Sequence, residues 1–247
     1  MKILQAPTSQ GSLGKNNGCE KAPAVIAKAL KENAETSVIP VDPSNIEITQ
    51  ENIFQAVDKE KGNCILLGGD HSITQASFKA FSKHYKKPGL LMFDAHPDCT
   101  NNFKTTHEDF INVLISEGIL DPKRFVQIGI RAGALQELEF LKKQGVRVFF
   151  MNQINNVEYI CDDIMEYFRD CDGLYVTVDI DVLDPSQAPG TGYLEPGGMT
   201  TRELLYFLTR LKKLPQFKML DIVEVNPEKD INEITVKTAA KIVQEFI

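Results

Sequence analysis

Residues 63–98 read NCILLGGDHSITQASFKAFSKHYKKPGLLMFDAHPD. Two short apolar runs, 63–68 and 89–94, lie on either side of a longer amphipathic segment, 73–85. Short apolar runs that alternate with amphipathic segments are typical of strands and helices in a parallel sheet. The stretch therefore predicts a β-α-β unit, and we expect its two strands to lie parallel in one sheet.

The same alternation extends over the whole chain. We expect strands at 2–6, 37–41, 63–68, 89–94, 125–130, 147–151, 174–180 and 217–225. We expect helices at roughly 22–33, 50–60, 73–85, 108–118, 135–144, 157–169, 200–212 and 234–246. A chain of 247 residues, 43% of them hydrophobic, can bury one large core. We predict an α/β fold: a single domain, 1–247, with three layers (α/β/α) and a mainly parallel eight-stranded sheet.

The composition indicates a cytoplasmic protein whose partner is a small molecule. The net charge of -7, from 27 basic and 34 acidic residues, argues against nucleic acid and suits a cationic ligand. The five cysteines are an odd number and form no CxxC pair, which favours reduced thiols. We expect no export signal and no membrane span, because no run of about 18 apolar residues occurs.

Acidic and imidazole side chains follow two of the expected strands. Asp94, His96 and Asp98 stand at i, i+2 and i+4 after the strand expected at 89–94. Residues two apart in a strand point the same way, so these three can aim at one point as the strand ends. Asp179 and Asp181 repeat this spacing at the end of another expected strand.

A further histidine, His71, follows Gly68 and Gly69, where the backbone can turn sharply. All three segments stand at carboxyl ends of expected parallel strands, where such sheets bind ligands. Each segment alone is compatible with an ordinary turn, but their joint occurrence favours one site. A phosphate site is not supported, because neither GxGxxG nor GxxxxGK[ST] is present.

These two imidazoles and four carboxylates indicate a metal site. Four carboxylates in one cleft repel each other unless they are protonated or cations hold them. A donor set without thiolate favours Mn²⁺ or a similar ion over a structural zinc site. Six ligands exceed what one ion needs, and bridging carboxylates hold ion pairs about 3.5–4 Å apart in hydrolytic sites. We predict a site for two such ions and, with it, a hydrolase.

Two further features suggest function. His107 precedes an expected helix, where it is either a general acid or an exposed residue at a helix start. Residues 185–198 read PSQAPGTGYLEPGG, and an irregular segment of this length is often a functional loop.

Six motifs run in order along the chain: GGDHS (68–72), DAHPD (94–98), VDIDVLDP (178–185), APGTG (188–192), GGMT (197–200) and VEVNP (223–227). In these motifs the chain resembles the ureohydrolase family, which contains arginases, agmatinases and formimidoylglutamases. The resemblance implies an arginase/deacetylase-like fold and a homo-oligomer, a trimer or a hexamer.

The resemblance also implies how the ligands divide between two manganese ions. One ion would be held by His71, Asp94, Asp98 and Asp179, and the other by His96, Asp94, Asp179 and Asp181. Asp94 and Asp179 would then bridge the ions. His107 matches the family's proton-shuttling histidine, and Glu224 matches the glutamate that binds the substrate guanidinium.

The implied reaction is hydrolysis of a guanidino C–N bond to urea and an amine. A water activated by the ions would be the nucleophile, with Asp98 orienting it. Glu224 would hold the guanidinium by charge-assisted hydrogen bonds, and His107 would protonate the departing amine.

The residues after the fifth expected strand bear on the substrate. In arginases acidic residues follow the motif that matches 128–131, whereas here Ala132-Gly-Ala-Leu135 follows. This favours a cationic agmatine-like substrate over arginine, although VEVNP is closer to arginases. Asn101 and Asn102 are candidate substrate contacts, with loop capping as the alternative. Formimidoylglutamate hydrolysis at the same site and a catalytically silent metal-binding scaffold are the competing interpretations.

Overall fold

An eight-stranded sheet forms the centre of the fold. The computed structural model describes residues 1–32, 34–102 and 104–247. The strands are β1 (Lys2–Ala6), β2 (Thr36–Val38), β3 (Cys64–Gly68), β4 (Pro88–Phe93), β5 (Phe125–Ile130), β6 (Arg147–Phe150), β7 (Gly173–Asp179) and β8 (Phe217–Val223). Their order across the sheet is β2-β1-β3-β8-β7-β4-β5-β6, and all neighbours pair in parallel. The predicted parallel sheet is confirmed.

Helices cover both faces of this sheet. Within the described residues they are α1 (Ala22–Ala29), α2 (Ile46–Lys59), α3 (Ile73–Ser82), α4 (Phe110–Ser116), α5 (Leu135–Gln144), α6 (Val157–Tyr167), α7 (Thr201–Leu211) and α8 (Ile234–Gln244). Side chains of α1, α6, α7 and α8 belong to one buried apolar cluster, and those of α2 to α5 belong to another. The sheet lies between the two clusters, which confirms the three-layer α/β/α architecture.

Strand β3 illustrates why the strand sequences are apolar throughout. Ile65 and Leu67 belong to the cluster beside α1 and α8, whereas Leu66 belongs to the cluster beside α2 and α3. Successive side chains of a strand point to opposite faces, and here both faces are covered by helices. Every residue of β3 is therefore buried.

Local capping decides where several helices begin and end. α2 begins at Ile46, earlier than expected, because the Asn45 side chain accepts hydrogen bonds from the backbone N–H groups of the first turn. The first helix is shorter than the expected 22–33, because Leu30 is already extended, with φ -65° and ψ 138°. These differences leave the order of elements unchanged.

The four central strands, β3, β8, β7 and β4, end at the same edge of the sheet. The chain turns closely there: the N–H of Asp70 donates to the carbonyl of Thr8, and a Cβ on Gly69 would lie 1.9 Å from that oxygen. Only glycine fits at this position.

In the described part of the chain, no helix combines the length and apolarity that a membrane span needs.

Candidate metal centre

Three aspartate side chains surround the imidazole of His71. Its Nδ1 lies 3.1 Å from Asp94 Oδ2 and from Asp98 Oδ2. The distance from Nδ1 to Asp179 Oδ2 is 3.3 Å. His71 follows β3, Asp94 and Asp98 follow β4, and Asp179 ends β7. One nitrogen and three oxygens from the ends of three strands of the sheet therefore converge on one point.

A second group of ligand atoms surrounds His96. Its Nδ1 lies 3.0 Å from Asp181 Oδ2 and 3.5 Å from Asp94 Oδ1. Asp94 thus offers Oδ2 to the first group and Oδ1 to the second. Two sets have ligand atoms mutually within 4.8 Å, namely His71, Asp94 and Asp179, and Asp94, His96 and Asp181. The two groups share one carboxylate.

Unpartnered atoms in the first group indicate that a cation fits there. His71 Nδ1 and Asp94 Oδ2 are buried, and neither has a hydrogen-bond partner among the described residues, although they lie 3.1 Å apart. A buried polar atom without a partner is costly. A divalent ion bound by imidazole nitrogen and carboxylate oxygen would satisfy both atoms. The residues present therefore fit the predicted metal ions.

The electrostatics of the groups lead to the same conclusion. Burial and the charge of Asp94 raise the pKa of Asp98 to about 8. Burial and the charge of Asp181 raise the pKa of Asp179 well above its usual range. Burial alone would raise the pKa of Asp94, but the two histidines beside it lower it to about 2. Without cations the carboxylates cannot all be ionised at neutral pH, so the site calls for added positive charge.

Two residues of the site have left-handed backbone conformations, Asp98 with φ 48° and Glu224 with φ 63°. Such a φ costs about 1–3 kcal/mol in a residue other than glycine, and strain of this kind is concentrated at functional sites. β4 ends at Phe93, so a turn rather than a continued strand carries the Asp98 carboxylate to His71. The expected i, i+2, i+4 alignment along one strand was wrong in this detail.

The Glu224 carboxylate already has three donors from the protein. Its Oε1 accepts hydrogen bonds from the backbone N–H of His71 (2.7 Å) and from His107 Nδ1 (3.1 Å). Its Oε2 accepts one from Asn16 Nδ2 (2.6 Å). Burial would raise the pKa of Glu224, but His107, Asn16 and the backbone N–H of His71 together outweigh burial and lower it. Glu224 is thus held ionised and oriented.

A cavity of about 350 Å³ opens over these groups. Its lining residues are His96, Asp98, Thr100, His107, Glu108, Ala132, Ala134, Glu137, Asp179, Asp181, Tyr193, Glu195 and Glu224. No lysine or arginine in the described residues lines it. The Nε2 of His107 is buried at this wall without a hydrogen-bond partner among those residues. The cavity is therefore an acidic pocket with the imidazoles of His96 and His107 in its wall.

A family model for the arginase family matches residues 1–247 of this chain. The chain belongs to the arginase family. The family predicted from the motifs is confirmed, and with it the assignment to this group of hydrolases.

Relatives of this arginase-family chain carry three different enzyme names, each of which refers to a different substrate. A formimidoylglutamase of Halalkalibacterium halodurans is 31% identical, over 99% of this chain and 85% of that protein. An agmatinase of Klebsiella pneumoniae is 38% identical, over 73% of this chain and 58% of that protein. The crystal structure of arginase from Bacillus subtilis superimposes with a TM-score of 0.91 at 27% identity, covering 99% of this chain and 96% of that one. These names agree on the family and differ on the substrate.

The asparagines predicted as substrate contacts lie at the edge of the site. Asn101 lines a neighbouring recess and not the cavity over the histidines. The backbone N–H of Asn102 donates to Asp109 Oδ1, and its side-chain Nδ2 donates to Thr100 Oγ1. Loop capping accounts for these bonds of Asn102. Substrate contact by either asparagine stays a prediction.

Several residues of this arginase-family site were not singled out in the sequence. Tyr193 and Glu195 come from the loop 185–198, which its irregular sequence had indicated as functional. The Tyr193 ring stacks on His107, with centroids 6.0 Å apart, and its hydroxyl donates to Glu108 Oε1 at 2.9 Å. Asn16 carries no local signal, because its partner Glu224 is 208 residues away.

Proposed function

We propose that this protein is a metal-dependent hydrolase that cleaves a C–N bond of a small guanidino compound to give urea and an amine. The observation that carries the proposal is the convergence of His71 and His96, each through Nδ1, on carboxylate oxygens beneath an acidic cavity. Family membership supports the same reaction class.

The residues that would hold two divalent ions are those of the two groups. His71, Asp94, Asp98 and Asp179 would bind one ion, and His96, Asp94, Asp179 and Asp181 the other. The use of both Asp94 oxygens, one toward each histidine, supports a bridging role. When bound, such ions supply Lewis-acid activation of a water molecule, and Mn²⁺ is the expected metal.

We infer that His107 would deliver the proton. Its Nδ1 faces Glu224 Oε1 at 3.1 Å, while its Nε2 lies unpartnered at the cavity wall. Glu224 therefore stabilises the protonated imidazole, and Nε2 can donate to the departing amine. Tyr193, stacked on the ring, limits its movement.

Glu224 would also accept a hydrogen bond from the substrate guanidinium. A carboxylate has about four lone-pair positions, and protein donors use three of them here. The remaining position, on Oε2, would pair with one guanidinium N–H. The three protein donors would fix the direction of that contact, which favours a single orientation of the substrate.

The cavity wall favours a substrate whose other end is cationic or neutral. Glu108 and Glu195 present carboxylates there, each with a side chain 35% exposed. The guanidinium of Arg131 is not available to a carboxylate, because it donates to the backbone carbonyls of Gly129, Asp181, Val182, Leu183 and Glu195. We therefore favour an agmatine-like substrate over arginine.

Formimidoylglutamate is the second candidate. A formimidoylglutamase is similar to nearly the whole chain, and the same metal-binding residues would serve its hydrolysis to formamide. The two carboxylates of that substrate would face the acidic wall, which argues for the guanidino compound. The homo-oligomer and the cytoplasmic location stay predictions from the sequence.

A substrate panel tests the proposal. Protein loaded with Mn²⁺ would be incubated with agmatine, arginine, 4-guanidinobutyrate and formimidoylglutamate, and assayed for urea, formamide and ammonia. We expect urea, with the highest kcat/KM for agmatine. Asp181→Ala should lower the rate at least about 100-fold, whereas Asp162→Ala, an exposed carboxylate on α6, should leave it unchanged. Formamide without urea would support the second candidate, and the absence of both products would support the silent scaffold.

A further inference from the structure

A buried hydroxyl lies behind His71, on the side away from the carboxylates. Nε2 of His71 lies 2.8 Å from Oγ1 of Thr177, and both residues are fully buried. Thr177 is on β7, two residues before Asp179. The hydroxyl and the imidazole therefore form a hydrogen bond shielded from water, in which either atom could be the donor.

A buried carboxylate stands beside this hydroxyl on the next strand. Thr177 of β7 pairs in register with Asp221 of β8, so their side chains are neighbours on one face of the sheet. Asp221 is fully buried. Its Oδ2 accepts hydrogen bonds from Tyr175 (2.5 Å) and Thr74 (2.8 Å), whereas its Oδ1 has no partner among the described residues. Asp221 thus keeps one oxygen for a further donor.

The direction of the hydrogen bonds decides which nitrogen of His71 carries the proton. If Thr177 donates to Asp221, its oxygen accepts from Nε2–H, and Nδ1 keeps a free lone pair toward the three aspartates. If Thr177 donates to Nε2, the proton of a neutral imidazole moves to Nδ1, where it blocks a metal ion. The unpartnered Oδ1 of Asp221 is the acceptor that the first arrangement needs.

We propose that Asp221 and Thr177 form a positioning relay that holds His71 as the Nε2-protonated tautomer, so that Nδ1 can bind a divalent ion. The proposal rests on the metal site of the proposed function. In other metal sites the partners behind a ligating histidine commonly contribute 10–100-fold to metal affinity. A buried carboxylate with only hydroxyl partners is costly, and a metal ion bound by His71 would offset that cost.

The test compares Thr177→Val, which replaces the hydroxyl by a methyl group of nearly the same size, with Thr177→Ser, which keeps the hydroxyl. Mn²⁺ binding to the full chain would be measured by calorimetry and by the electron paramagnetic resonance signal of free Mn²⁺. We expect Thr177→Val to weaken binding at the His71 site by about 10–100-fold, with Thr177→Ser within about threefold of wild type. The visible absorption of the Co²⁺-loaded protein should change in Thr177→Val and not in Thr177→Ser.

Asp221→Asn is expected to act like Thr177→Val. Ser77→Ala is the matched control, since Ser77 hydrogen-bonds the Tyr175 hydroxyl at 2.7 Å and not His71. Urea unfolding of the metal-free variants separates a loss of folding from a loss of metal affinity. If Asp221→Asn does not fold, the comparison of Thr177→Val with Thr177→Ser still tests the relay. Equal affinity in Thr177→Val and wild type, or equal losses in the Val and Ser variants, would overturn the relay. Wild-type protein that binds no ion would overturn the proposed metal site itself.

Discussion

The pair of His107 and Glu224 predicts how the stability of the metal-free protein depends on pH. His107 is 4% exposed and Glu224 3%. Burial alone would lower the pKa of His107, but the hydrogen bond to Glu224 at 3.1 Å and its negative charge raise it to about 9. The folded chain therefore holds this proton more tightly than the unfolded chain does, where the ordinary value of 6.5 applies.

The sign follows from this difference in proton binding. Because the folded-state pKa lies above the unfolded one, the stabilisation is fully present below pH 6.5 and is lost as pH rises through about 9. The shift corresponds to about 3 kcal/mol of unfolding free energy. Glu224 stays ionised over this range, because its own pKa is lowered, so it does not compensate for the loss.

Urea unfolding followed by circular dichroism, in the presence of a chelator, measures this contribution. Wild type and His107→Gln would be compared from about pH 6 to about pH 10, and the stability advantage of wild type should shrink by about 2–3 kcal/mol. His84→Gln removes a partly exposed imidazole far from the pair and controls for general effects of pH. An advantage of wild type over His107→Gln that stays constant across the range would refute the reasoning.

Two further predictions concern the backbone and the partners of the site. Asn16→Ala removes the donor to Glu224 Oε2 and should destabilise the protein by about 1–3 kcal/mol in urea unfolding, whereas Ala at the exposed Asn17 should cost almost nothing. Gly69→Ala places a Cβ 1.9 Å from the Thr8 carbonyl oxygen and should lower the thermal midpoint by an amount that corresponds to at least about 1–3 kcal/mol. A variant at Gly69 as stable as wild type would contradict the close approach.

The sequence was sufficient to predict the elements of the sheet but not their order. Strands such as β3 are apolar throughout because helices cover both faces, and this pattern is visible without a structure. The insertion of β8 between β3 and β7 is a pairing between distant segments, and no local pattern encodes it. This pairing places Glu224 beside His71, so the environment of the site depended on information that periodicity does not contain.

The ligand candidates could be predicted because they lie in short segments after strands, whereas the residues that orient them could not. His71, Asp94 and Asp179 follow apolar runs with recognisable spacing. Thr177 stands inside such a run and resembles any buried strand residue, yet it contacts His71. Its importance depends on which neighbour the sheet provides, and that neighbour, Asp221, is 44 positions further along the chain.

The groups that would activate water and the groups that would select the substrate lie on different parts of the fold. The histidines and aspartates stand at the ends of central strands, where the sheet fixes them, and relatives with three different substrate names belong to the same family. Glu108 and Glu195 lie outside the strands and form the outer wall of the cavity. An overall identity does not measure the chemistry of this wall. The charge of the wall, which is acidic and has no available arginine among the described residues, is therefore the better guide to the substrate, and it is the basis on which we propose an agmatine-like compound.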